Sequence, residues 1–173
     1  FVGINAREAV IEGRADYTPV FLSDLPHLIS NNIVPIDVAL IQVTPPDEHG
    51  FCSLGVSVEI TKTATKKAKL VIAQVNKYMP RVFGDSFIHV NDIDIVVEHD
   101  EPILESPPLE KDIVSERIAR YVSQLVEDES TLQIGIGTIP NAILGALKDK
   151  RDLGVHTELL TEGIVDLVED GVI

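Results

Sequence analysis

The chain has 173 residues, 45% of them apolar, enough for a buried α/β core and too many for a disordered segment. Its 28 acidic residues against 14 basic ones give a formal charge of -14, which opposes DNA or RNA as a partner because no surplus Lys or Arg can replace phosphate counterions. No apolar run approaches the roughly 18 to 20 residues of a membrane span, and the single cysteine, Cys52, forms no internal disulfide, so a cytoplasmic protein is expected.

The first clear element is the apolar run 37–43 (DVALIQV), which ends in Thr44-Pro45-Pro46, where two prolines remove ladder donors; it reads as a buried strand entering a loop. Residues 61–68 read as a short helix and 69–75 (KLVIAQV) as a second strand, and this strand, helix, strand order predicts parallel pairing. Residues 87–90 and 93–97 are further short strands, separated by the turn-prone pair Asn91-Asp92. The stretch 101–108 holds three prolines and is the predicted linker, which divides the chain into regions 1–105 and 106–173.

Beyond it, Asp112 is positioned to cap a helix on which Val114, Ile118, Tyr121, Val122 and Leu125 form an apolar stripe, expected to pack on a core. Residues 131–134 read as a strand entering Gly135-Ile136-Gly137, with Thr138 as the predicted cap of a helix over about 139–148. Residues 155–160 read as another strand, and Ile164, Val165, Leu167 and Val168 as the start of a helix that the end of the sequence cuts short. With Phe1 in place of Met at the other end, that pattern makes the chain an expected internal piece of a longer protein.

Several groups could carry chemistry. At the strand-to-helix turn of the glycine loop, backbone can approach a ligand, and the free amides of a helix start favour an anion; the same residues also fit a simple tight turn. A dinucleotide fingerprint would need a third glycine where Pro140 stands, and no P-loop lysine follows. His156-Thr157-Glu158 lies on the next predicted strand, whose C-terminal end can neighbour the glycine loop in a βαβ arrangement. Its alternative is a solvent-facing acid on an edge strand. A metal site is not expected, because no second cluster supplies ligands to join His156 and Glu158. The loop Thr44 to Gly50 (TPPDEHG) resembles an active-site loop in composition, but equally fits a proline-stiffened turn whose polar side chains bond its own backbone. Gly84-Asp85-Ser86 lacks the pattern of a nucleophile elbow and reads as a loop, and Cys52 as a buried structural thiol.

Four long segments in order, PIDVALIQVTPPDEHGFCSLGVSVEITK from Pro35, AQVNKYMPRVFGDSFIHVNDID from Ala73, ERIARYVSQLVEDESTLQIGIGTIPNAIL from Glu116 and LGVHTELLTEGIVDLVEDGVI from Leu153, resemble the acetyl-CoA hydrolase and transferase family, in particular its 4-hydroxybutyrate or butyrate CoA-transferase branch. The resemblance implies two open, mostly parallel α/β domains of the NagB/RpiA/CoA-transferase type, with 1–105 the latter part of the first and 106–173 the start of the second. It implies that Glu158, in the Thr157-Glu158 step before Gly163-Ile164-Val165-Asp166-Leu167, is the catalytic nucleophile, and that Gln133, Gly135 and Gly137 contact the coenzyme. It further implies an acyl-CoA and a short-chain carboxylic acid as substrates, coenzyme A as a substrate with no permanently bound cofactor, and a homodimer. The acidic charge does not oppose such a ligand, since helix starts and backbone amides can hold phosphates locally.

Overall fold

The computed structural model describes residues 2–105 and 112–173, so residues 106–108 of the predicted linker lie outside the described residues. The chain divides into two compact units, Phe1–Leu104 and Glu105–Ile173.

In the first unit, α1 (Ile4–Ile11) precedes a 3-10 turn (Leu22–Asp24) that leads into α2 (Leu25–Ser30). Then follow β1 (Val38–Val43), β2 (Phe51–Ser53), α3 (Thr61–Lys67), β3 (Leu70–Val75), β4 (Phe87–His89) and β5 (Ile95–Glu98). Strands β1, β3 and β5 form a parallel sheet in that order, with Val38 level with Leu70, Val43 with Val75, and Ile72 with Ile95. The predicted parallel pairing of the two longest apolar runs is therefore present. Alternate residues of β1 and β3, Ala39, Ile41, Val43, Val71 and Ala73, face the core, where they meet Cys52, Leu54 and Ile88.

The predicted strand at 87–90 is real but joins no parallel sheet. As β4 it pairs antiparallel with β2, placing Cys52 opposite Ile88. β2 escapes a sequence reading because three residues leave too little pattern to count. Cys52 is fully buried, and loss of solvent raises its thiol pKa, as a structural cysteine requires.

In the second unit, α4 (Ile113–Ser123), β6 (Thr131–Leu132), α5 (Thr138–Gly145), β7 (Gly154–Val155) and α6 (Glu162–Glu169) follow in order, with β6 and β7 parallel. Asp112 caps α4 as expected, its carboxylate accepting from the Ser115 amide at 2.9 Å. The buried face of that helix, however, is not the predicted stripe. Ser115 and Ala119 are buried, Ile118 and Val122 partly so, while Val114, Tyr121 and Leu125 are 66% to 82% exposed. Small residues at 115 and 119 allow close approach of a neighbouring helix, a signal that a count of large apolar residues does not register.

Three further differences concern element ends. Thr138 is the first helical residue of α5 rather than its cap; Gly137 occupies the cap with φ 117° and ψ -179°, a conformation open in practice only to glycine. α5 stops at Gly145 because the amides of Ala146 and Leu147 bond three residues back, to Ile143 and Leu144, tightening the last turn. Finally, α6 is not cut short. It closes through a Schellman cap, with Gly171 at φ 72° and the Val172 and Gly171 amides donating to the carbonyls of Leu167 (2.9 Å) and Val168 (3.1 Å). Val172 then returns to the core beside Leu167, Ile164, Leu144 and Leu153.

Candidate active site

The parallel pair β6–β7 sets the site. Thr131 is level with Gly154 and Leu132 with Val155, a constant offset of 23 positions. The ladder continues in the bond from the His156 amide to the Leu132 carbonyl at 2.9 Å. It then changes character. The Thr157 hydroxyl accepts from the Ile134 amide at 3.1 Å and donates to the Ile134 carbonyl at 2.9 Å, two bonds across the same offset of 23.

Gly135 follows Ile134 and Glu158 follows Thr157, so both lie just past the C-terminal ends of the two strands, where open parallel sheets bind ligands. Both predicted strands are thus shorter than their apolar patterns imply, β6 ending at Leu132 and β7 at Val155. The physical reason is that a side chain takes over where main-chain pairing would have continued.

Glu158 sits at a bend between β7 and α6, is exposed, and makes no hydrogen bond or ion pair among the described residues. Gly135 is exposed, and a methyl group added there would meet only the Pro140 ring, at 3.7 Å. Gly137 is the N-cap of α5, with no side-chain cap bond at that end. Gln133 and Gly135 line a cavity of about 280 Å³ whose remaining wall is apolar, formed by residues such as Val122 and Val126 after the first turns of α4 and Ile143 and Leu147 around α5. The four residues singled out in the sequence thus fall in one unit, on two adjoining loops. Among the described residues no cluster of three or more His, Cys, Asp or Glu forms a metal site, and no helix is long and apolar enough to cross a membrane.

In the first unit, the Thr44 to Gly50 loop is engaged with itself. The Asp47 carboxylate accepts from the amides of Phe51 (2.8 Å) and His49 (3.0 Å) and pairs with Arg81 at 2.5 Å. These bonds, the Phe51 amide foremost, hold its pKa below the ordinary carboxylate value. Arg81 also donates to the Phe51 carbonyl and lies 4.8 Å from the centre of the Phe87 ring. Likewise Ser86 is buried, its hydroxyl donating to the Val82 carbonyl at 3.1 Å, so the Gly84-Asp85-Ser86 segment presents no nucleophile.

Comparison with known proteins shows the family. The family model of the acetyl-CoA hydrolase/transferase N-terminal domain matches residues 1–105. The chain belongs to the acetyl-CoA hydrolase/transferase family. Over its whole length it is 53% identical to a protein of Clostridium kluyveri named 4-hydroxybutyrate coenzyme A transferase, of which it covers 40%. Among solved structures, a 4-hydroxybutyrate CoA-transferase from Porphyromonas gingivalis superposes with a TM-score of 0.84 at 39% identity, over 99% of this chain and 44% of that one. The protein RipA from Yersinia pestis does so with a TM-score of 0.87 at 36% identity, over 97% of this chain and 40% of that one. The fold is therefore the open, mostly parallel α/β type that the resemblance implied. The chain spans about two fifths of the length of the curated relatives it matches.

The residue that sequence reasoning passed over is Thr157. It was visible as a β-branched hydroxyl beside the acid, but nothing in the sequence says which main-chain groups that hydroxyl meets.

Proposed function

We propose that the full protein containing this chain is a CoA-transferase that moves coenzyme A from an acyl-CoA, such as acetyl- or butyryl-CoA, to a short-chain carboxylic acid such as 4-hydroxybutyrate or acetate. Glu158 is the nucleophile. The observation that carries the reading is a carboxylate with no partner among the described residues, one residue past the bonds between Thr157 and Ile134 that lead into the glycine loop, in a chain 53% identical to a protein named 4-hydroxybutyrate coenzyme A transferase.

The Glu158 carboxylate attacks the thioester carbonyl carbon, and the C–S bond breaks to give an acyl-glutamyl anhydride and CoA thiolate. The thiolate attacks the glutamyl carbonyl, releasing the first carboxylic acid as its carboxylate and leaving a glutamyl-CoA thioester. An incoming carboxylate repeats both steps in reverse, which regenerates Glu158 and gives ping-pong kinetics. Oxyanions form at each attack, and the amides around Gly135 and Gly137 are the donors available to stabilise them. Gln133 contacts the same ligand from the cavity rim. No step calls for a permanently bound cofactor or a metal.

A hydrolase would use the same carboxylate and differ in admitting water to the thioester. The family name covers both activities, and the identity to a named transferase favours transfer. The protein is further proposed to act in the cytoplasm as a homodimer, without nucleic acid or membrane partners.

Initial-rate kinetics of the full protein test the proposal. Parallel lines in double-reciprocal plots against acyl-CoA and acceptor acid support it, with thioester loss to water slow by comparison. Intersecting lines, or hydrolysis as the faster reaction, overturn it.

A further inference from the structure

Resting on the reading of Glu158 as nucleophile, we infer that Thr157 is a positioning residue, whose hydroxyl ends the strand pair in a way that fixes the glycine loop against Glu158 while releasing the Glu158 main chain from the sheet.

In a parallel ladder of this register, the bond from the His156 amide to the Leu132 carbonyl would be followed by one from the Ile134 amide to the His156 carbonyl, then one from the Glu158 amide to the Ile134 carbonyl. Neither forms. Thr157 Oγ1 instead takes both main-chain groups of Ile134, accepting at 3.1 Å and donating at 2.9 Å. Ile134 itself is 8% exposed, so its amide and carbonyl would otherwise face a largely apolar surrounding without partners.

The exchange has two consequences. The offset of 23 persists to Ile134 and Thr157, two positions beyond the last regular strand pair, so the residues next in line, Gly135 and Glu158, both start from a fixed point. At the same time the Glu158 amide has no partner among the described residues, and the chain turns away at a bend that leaves the carboxylate exposed. A continued ladder would have kept Glu158 in the pleat. A threonine serves because its hydroxyl both donates and accepts, whereas the isosteric valine does neither.

Full-length protein carrying Thr157→Val, Thr157→Ser or Glu158→Ala tests this. Misplacing a reacting group by about an ångström costs up to about 100-fold in rate. Thr157→Val is therefore expected to lower kcat by about 10- to 100-fold with KM for acyl-CoA changed by less than about 3-fold, and Thr157→Ser to return most of the lost kcat. If the valine variant does not fold, Thr157→Ala serves in the same comparison with Thr157→Ser. A kcat equal to that of the parent protein in the hydroxyl-free variant, or a serine variant as slow as the valine one, overturns the inference. Full turnover by Glu158→Ala would instead overturn the nucleophile assignment, so the two failures are distinguishable.

Discussion

Two carboxylates, one in each unit, sit on loops just past parallel strands and have opposite fates. Asp47 is engaged at both oxygens: the amides of His49 and Phe51 meet one and the Arg81 guanidinium the other. Glu158 meets nothing among the described residues, although the segment just before it is fastened by Thr157. By composition the Asp47 loop is the more suggestive, with acid, acid, imidazole and glycine in sequence. Occupancy reverses that impression. A carboxylate engaged at both oxygens organises a turn, whereas an unpaired carboxylate next to a fastened residue is the arrangement a nucleophile needs.

The largest effect expected from this contrast is at Glu158. Glu158→Gln in the full protein should lower kcat by about 1,000-fold or more, as loss of a nucleophile does, with an unchanged melting temperature; turnover within 10-fold of the parent would break the comparison. Next come the two glycines. Gly137→Ala forces a side chain into a conformation that costs on the order of 1 to 3 kcal/mol, a loss that denaturant titration would read. Gly135→Ala meets no obstacle. It should alter stability by no more than about 0.5 kcal/mol yet raise KM for acyl-CoA, which distinguishes a ligand contact from a plain turn.

The smallest effect is at Asp47. Asp47→Ala should lower Tm by a few degrees with kcat per folded molecule unchanged, and a large fall in kcat would assign that loop to catalysis after all. The pH dependence has a definite sign. Because the folded pKa of Asp47 lies below the ordinary 3.8, its contribution to stability is complete above that value and is lost as pH falls through the lowered one. Acid unfolding of the parent and of Asp47→Ala should therefore converge at low pH, and curves that stay parallel would contradict the assigned role.

Much of the fold was legible because some elements are long and locally consistent. β1 and β3 are continuous apolar runs, and α4 announces its start through Asp112. Other features depend on partners that no local pattern records. Burial of α4 through Ser115 and Ala119 is decided by the neighbouring helix, and β6 and β7 are two residues each because a side chain replaces the ladder. The Schellman cap was readable in Gly171 followed by Val172, though masked by a helical pattern that runs to the last residue. At the site, Glu158 and the glycine loop stood out as candidates by their place after predicted strands, and their roles were reached through family resemblance. The register of the strands that lead to them is not stated by a sequence.

The central claim, that Glu158 carries the acyl and CoA groups in turn, is tested most directly by mass spectrometry of the full protein after incubation with acyl-CoA and reduction with borohydride, which converts a glutamyl-CoA thioester to a stable alcohol. The expected product is a peptide in which Glu158 alone is reduced, absent when acyl-CoA is omitted. An unmodified Glu158 in protein shown to be turning over, or reduction at a different acid, would contradict it.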